Sequence, residues 1–152
     1  MKIIIDSDIL ISHFRKGEET ALLDQLAKRS LWFMSSVVAM ELRAGCRTRA
    51  EVRWLQKFFD PFERTQRVVY PNHRTWMRAG SMLADLDTRG RLNRATRQSL
   101  VHDTLIALGA VSIGACVVTA NRRDFEMLAR VCPLTWFGSV PAALAALSAP
   151  KT

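Results

Sequence analysis

Lys2-Ile3-Ile4-Ile5-Asp6-Ser7-Asp8 is the stretch whose reading decides the fold. Three consecutive isoleucines carry no alternation of apolar and polar side chains. A strand with one wet face alternates, whereas a strand covered on both faces reads as a continuous β-branched run. The run breaks at Asp6, a carboxylate with no place in a buried strand. Four more short apolar runs follow the same pattern. Residues 31–34 end at Ser35-Ser36, and residues 67–70 are stopped by Pro71. Residues 115–119 lie between Gly114 and Asn121, and residues 134–137 give a fifth candidate.

The segments between these runs carry apolar residues at helical spacing. The spacing predicts helices over 8–15, 18–29 (Leu22, Leu23, Leu26), 37–44 with a stop at Gly45, and 49–59 with a stop before Pro61. It predicts others over 74–88, 96–112, 125–131 and 142–147. Strands alternating with helices predict an α/β fold: a three-layer α/β/α sandwich around a mostly parallel central sheet of four to five strands. Residues 1–147 read as one domain, and 148–152 as a short tail.

The chain has 152 residues, a usual single-domain length. A chain of this size buries roughly 70% of its unfolded surface. Apolar residues make up 49% and charged residues 24%, which excludes disordered, collagen-like and coiled-coil classes. No apolar run reaches the roughly 18 residues of a membrane span, so no membrane role is expected. The acidic turn at Asp6 comes too early for a secretory leader. Cys46, Cys116 and Cys132 are too few and too scattered for a disulfide framework or a zinc site. Reduced thiols in a cytoplasmic protein are the expectation. Against 14 acids stand 22 Lys and Arg, a net charge of +8, so a polyanion or an acidic protein is the natural partner.

Four carboxylates stand in awkward places, because an unpaired buried charge is costly. Asp6 sits at the C-terminal end of the first strand, the edge where sites assemble in parallel α/β folds, though it also suits a helix N-cap. Glu41 falls four residues after Val37 and three after Val38, on the apolar face of its helix. Asp103 shares a face with Leu100, Ile106 and Ala107, so it requires a cation, a metal, a donor cluster or an arginine. Asp124 follows the fourth strand, where the first turn of a helix also favours an acid. If the strands are parallel, the strand-end acids share one sheet edge and the helix-borne acids can face the same crevice. Two carboxylates about 4 Å apart repel by roughly 4 kcal/mol at an effective dielectric of 20. A divalent cation relieves that repulsion, and an all-oxygen donor set selects Mg²⁺ or Mn²⁺.

Ile3-Ile4-Ile5-Asp6-Ser7-Asp8 resembles the opening strand and first aspartate of PIN-domain nucleases. Glu41-Leu42-Arg43-Ala44-Gly45 resembles their second acidic motif. Asp103-Thr104-Leu105-Ile106-Ala107 resembles the third, and Thr119-Ala120-Asn121-Arg122-Arg123-Asp124-Phe125 the fourth. Order, spacing and length are similar to the VapC-type toxins of toxin–antitoxin modules. The resemblance implies a metal-dependent endoribonuclease, usually a homodimer, neutralised by a cognate antitoxin. It implies that Asp6, Glu41, Asp103 and Asp124 bind metal, with Asp6 and Asp103 as the most direct ligands. Ser7, Thr119 and Asn121 would support them. Asp8 departs from the family pattern, where Asn is more usual; it is either an extra acid near the site or a helix N-terminal residue, and reads best as the latter. His102 points about 100° away from Asp103 on a helix, which makes it packing or an outer support.

Arg43, Arg94, Arg97 and Arg122 are candidate contacts to an RNA backbone, although solvated helix faces explain arginines equally well. Trp32, Trp54 and Trp76 read as packing. The apolar N-terminal helices are candidates for an antitoxin groove or a dimer interface. A PIN-type nuclease with an RNA-processing or DNA role is the alternative, as is a catalytically silent nucleic-acid-binding module, which the presence of all four acids disfavours.

Overall fold

The computed structural model describes residues 1–17, 19–88 and 94–149, with side chains at 88 and 94–97 left out. Five strands form one sheet: β1 (Lys2–Ile5), β2 (Leu31–Ser35), β3 (Val68–Val69), β4 (Cys116–Val118) and β5 (Trp136–Phe137). Their order is β3-β2-β1-β4-β5, and every pairing is parallel. The three isoleucines of β1 occupy the middle of the sheet at 0–1% exposure. The continuous apolar run thus has its physical cause in helices on both faces.

Helices α1 (Ser7–Lys16) and α2 (Thr20–Arg29) connect β1 to β2. Helices α3 (Ser36–Ala44) and α4 (Arg49–Arg64) connect β2 to β3. Then α5 (His73–Thr88) and α6 (Arg94–Ile113) lead to β4, α7 (Arg122–Ala129) leads to β5, and α8 (Val140–Ser148) closes the described chain. Connections from β1 step toward β3, and connections from β4 step toward β5. Right-handed crossovers therefore place the two sets of helices on opposite faces. Helix α2 packs against α8, while α6 packs against both α5 and α7. Among the described residues no helix is long and apolar enough to cross a membrane.

Some expectations shift. Helix α4 does not stop before Pro61 but continues to Arg64. Proline removes one helical N–H bond, yet the extra turn buries Phe62 at 6% exposure against Trp32 and Phe58. Thr65 caps the end by donating its Oγ1 hydrogen to the Pro61 carbonyl at 2.6 Å. Helix α7 starts at Arg122 rather than at 125 and ends at Ala129, because Asn121 takes the N-cap position. Strand β3 shrinks to two residues at the sheet edge. There α6 comes so close that a Cβ on Gly109 would stand 3.3 Å from Val69 Cγ1. Of the expected tail, Ser148 closes α8, and residues past 149 lie outside the described set. The thiols of Cys46, Cys116 and Cys132 are all free.

Candidate active site

β1 lies where the strand order reverses: its chain continues toward β2, whereas β4, on its other side, continues toward β5. Crevices at such switch points, outside the C-terminal strand ends, are where open α/β sheets bind ligands. Asp6 stands there. Its backbone N–H donates to Val118 O at 2.9 Å, extending the β1–β4 ladder by one step. Its side chain is 3% exposed. Oδ1 accepts from the Ser7 N–H at 2.8 Å, and Oδ2 accepts from Thr119 Oγ1 at 2.8 Å. Asp6 is therefore both the N-cap of α1 and an acid at the crevice, so the two sequence readings were not alternatives. Ser7 contributes through its backbone amide. Thr119 is fully buried and also accepts the Asn121 N–H at 2.9 Å.

Asp8 does more than occupy a first helical turn. Its Oδ1 accepts from the Ile9 N–H at 2.6 Å, while Oδ2 accepts from the Ala120 N–H at 2.9 Å. It pins the start of α1 to the loop after β4. A first-turn acid and an acid near the site are the same residue here. Sequence spacing shows only the first-turn role, because it does not reveal that β4 ends beside α1.

Asp103 comes in from α6. Among the described residues its partner is Asn121, whose Nδ2 donates to Asp103 Oδ2 at 2.9 Å and to Asp124 Oδ2 at 2.9 Å. One amide group, two hydrogens, ties the third acid to the fourth. Asn121 occupies the N-cap position of α7, yet its side chain makes no capping bond. The usual N-cap bond is given up for the bridge between the acids.

Glu41 approaches from α3, half-buried, with Oε1 2.7 Å from His102 Nδ1. His102, expected as packing or an outer support, is not packed away: its side chain is 46% exposed and its ring leans over to Glu41.

The electrostatics follow from burial and crowding. Asp6 is pushed up to about 7, first by burial, then by Asp8, with Thr119 and Ser7 pulling the other way and Glu41 adding a push. Asp103 is pushed up to about 8, first by burial, then by Asp6, Asp124, Glu41 and Asp8. Burial likewise raises Asp8, against hydrogen bonds from Ile9, Ala120, Asn121 and Thr119. The four expected acids and Asp8 thus share one field. Even so, among the described residues no three His, Cys, Asp or Glu side chains stand close enough to form a ready-made chelate. Each carboxylate is instead engaged by a neighbour: Asp6 by Thr119, Asp8 by Ala120, Asp103 and Asp124 by Asn121, and Glu41 by His102. The donor set fits a hard divalent cation: it is all oxygen, and its mutual repulsion is what such an ion relieves.

The basic candidates are more dispersed. Arg122 is exposed, and its stem lies over Gly138, where a Cβ would come within 2.8 Å of Nε. Arg43 is exposed near the end of α3, two residues and so about 200° round the helix from Glu41. The side chains of Arg94 and Arg97 lie outside the described residues. Away from the acids, a groove of about 390 Å³ runs between α1, α3 and α4, lined by Ile11, Phe14, Leu42, Cys46, Trp54 and Leu55. Trp32 is packing, as expected. Trp54 and Trp76 are not fully so, being 50% and 51% exposed.

The family model of the PIN domain matches residues 3–131. The chain belongs to the PIN-domain family. No curated protein matches it significantly. Among solved structures, the PIN chain here is similar to VapBC-1 of nontypeable Haemophilus influenzae, with 21% identity, a TM-score of 0.66, and coverage of 93% of this chain and 99% of that one. It is also similar to VapBC2 of Rickettsia felis bound to a promoter DNA fragment, with 21% identity, a TM-score of 0.65 and coverage of 90% and 98%. DNA-bound VapBC of Salmonella typhimurium gives 24% identity, a TM-score of 0.63 and coverage of 90% and 97%. At these identities the likeness is one of fold.

Proposed function

We propose that this PIN-domain chain is the toxin of a toxin–antitoxin pair, an endoribonuclease that hydrolyses RNA phosphodiester bonds with Mg²⁺, or with Mn²⁺ in its place. The observation that carries the reading is the convergence of Asp6, Glu41, Asp103 and Asp124 on one crevice, with Asp6 and Asp103 raised by burial and by their neighbours. Asp6 and Asp103 would be the direct metal ligands, with Glu41 and Asp124 completing the set. Held there, a divalent ion would activate a water for attack on the phosphate and neutralise the phosphate's charge. The chain's own part is preorganisation. Thr119 and the Ser7 N–H fix Asp6, Asn121 holds Asp103 and Asp124 at one spacing, and Asp8 locks the loop that carries Thr119 and Asn121.

The net charge of +8 supports a polyanionic substrate. Arg43, Arg94, Arg97 and Arg122 are the candidates for drawing in its backbone. The apolar groove between α1, α3 and α4 supports an antitoxin helix as its occupant. Tyr70, Trp76 and Met77, exposed by 73%, 51% and 61% before and along the start of α5, support a homodimer through that face. Residues 1–147 act as one nuclease domain. Expression of the wild type and of Asp6→Asn tests the proposal: the wild type arrests growth and leaves cleaved RNAs, and the variant does neither. Equal toxicity of the two would overturn it.

A further inference from the structure

We propose that His102 is a positioning residue that holds Glu41 in the acid cluster, a role that rests on the metal-site reading above. The neighbour of Asp103 on α6 cannot face the same way, because consecutive helical residues diverge by about 100°. The ring of His102 therefore leaves the crevice floor and crosses to α3, where Nδ1 meets Glu41 Oε1 at 2.7 Å. The two residues lie 61 positions apart in sequence. Their contact joins two helices that also pack directly.

The reason for such a strut lies in Glu41 itself. Asp6 is fixed by two hydrogen bonds, and Asp103 and Asp124 by the Asn121 amide. Glu41 has a longer, more flexible side chain, is only partly buried, and faces acids that repel it. Left alone, it would swing toward solvent. An ionised carboxylate only accepts hydrogen bonds, so the proton on this contact belongs to Nδ1. That fixes the tautomer and aims the ring. The arrangement is an acid oriented by an imidazole, the reverse of the usual order in which a carboxylate orients a histidine.

The test reads Mn²⁺ binding by calorimetry, alongside cleavage. His102→Leu keeps the bulk and loses the donor; His102→Asn puts an amide N–H near the position of Nδ1. His102→Leu should weaken Mn²⁺ binding about tenfold, the lower end of what loss of an outer partner costs, and raise the metal concentration for half-maximal cleavage in step. His102→Asn should recover to within about threefold of the wild type. In a Glu41→Gln background His102→Leu should add little, since residues acting through one contact are not additive. Wild-type affinity in His102→Leu, or full additivity with Glu41→Gln, would overturn the proposal while the metal site stands. A wild type that takes up no Mn²⁺ would overturn the metal-site reading and this proposal with it. Circular dichroism melts of the metal-free variants accompany the titrations. A lowered melting temperature with no ordering of Leu below Asn in affinity would mean that the contact is merely structural.

Discussion

Asp103→Asn should stabilise the metal-free protein while destroying its activity. The variant removes a charge that the fold holds at a cost. Asp103 sits at about 8, from an ordinary value of 3.8, through burial and four neighbouring acids. The native state therefore holds a proton on this acid that the unfolded chain has already released. Stability tied to that proton is fully present below about pH 4 and is lost as pH rises toward 8. Four units would correspond to about 5 kcal/mol as a ceiling. Partial exposure and the shared field with Asp6 reduce this, and about 2–3 kcal/mol is the working figure. The asparagine can still accept from Asn121, so little else changes. Urea unfolding in EDTA from pH 4 to 8.5 reads the effect. The wild type should lose stability across the range, the variant should lose less, and the gap should be widest near pH 8. In melting temperature the gap amounts to about 4–12 °C for a chain of this size. Parallel pH profiles, or a variant less stable than the wild type at pH 8 in EDTA, would refute the picture of mutually repelling buried acids.

Millimolar Mg²⁺ should raise the melting temperature of the wild type by mass action on the native state and leave Asp103→Asn nearly unmoved; differential scanning calorimetry checks this. Thr119→Val keeps the shape of a fully buried residue but strips the hydroxyl from Asp6 and from the Asn121 N–H. It should cost about 1–3 kcal/mol in chemical unfolding and weaken Mn²⁺ binding, because both groups lose a buried partner. Binding of single-stranded RNA to the inactive Asp103→Asn protein should fall with salt by a slope of about −0.7 per phosphate neutralised. Replacing Arg94 and Arg97 together should flatten that slope by about one or two units in fluorescence anisotropy titrations.

The sheet was legible because burial on two faces leaves a compositional trace: Ile3, Ile4 and Ile5 carry no wet side. Asp103 and Glu41 were legible for the opposite reason, as charges on faces that should carry none. What the sequence concealed depends on how elements meet. Asp8 satisfies every local rule for a first helical turn, and only the β4 end beside it reveals the bond to Ala120. His102 has a direction on its helix, but nothing in the sequence says that α3 passes there. Asn121 looks like a cap and sits like one, and its side chain serves two acids instead. Pro61 is a stop signal that the burial of Phe62 overrides. Trp76 lies at a core-like spacing, yet it is half-exposed on a helix that packs against α6.

The central claim is that these acids hold a divalent ion that cleaves RNA. Incubation of the purified chain with a single-stranded RNA, with Mg²⁺ or Mn²⁺ and then with excess EDTA, tests it most directly when Asp103→Asn is run beside it. The account predicts cleavage by the wild type only in the presence of the metal, its loss in EDTA, its return when Mn²⁺ is added back in excess of the chelator, and none by the variant under any condition. Undiminished cleavage in EDTA, or by the Asp103→Asn protein, would contradict it.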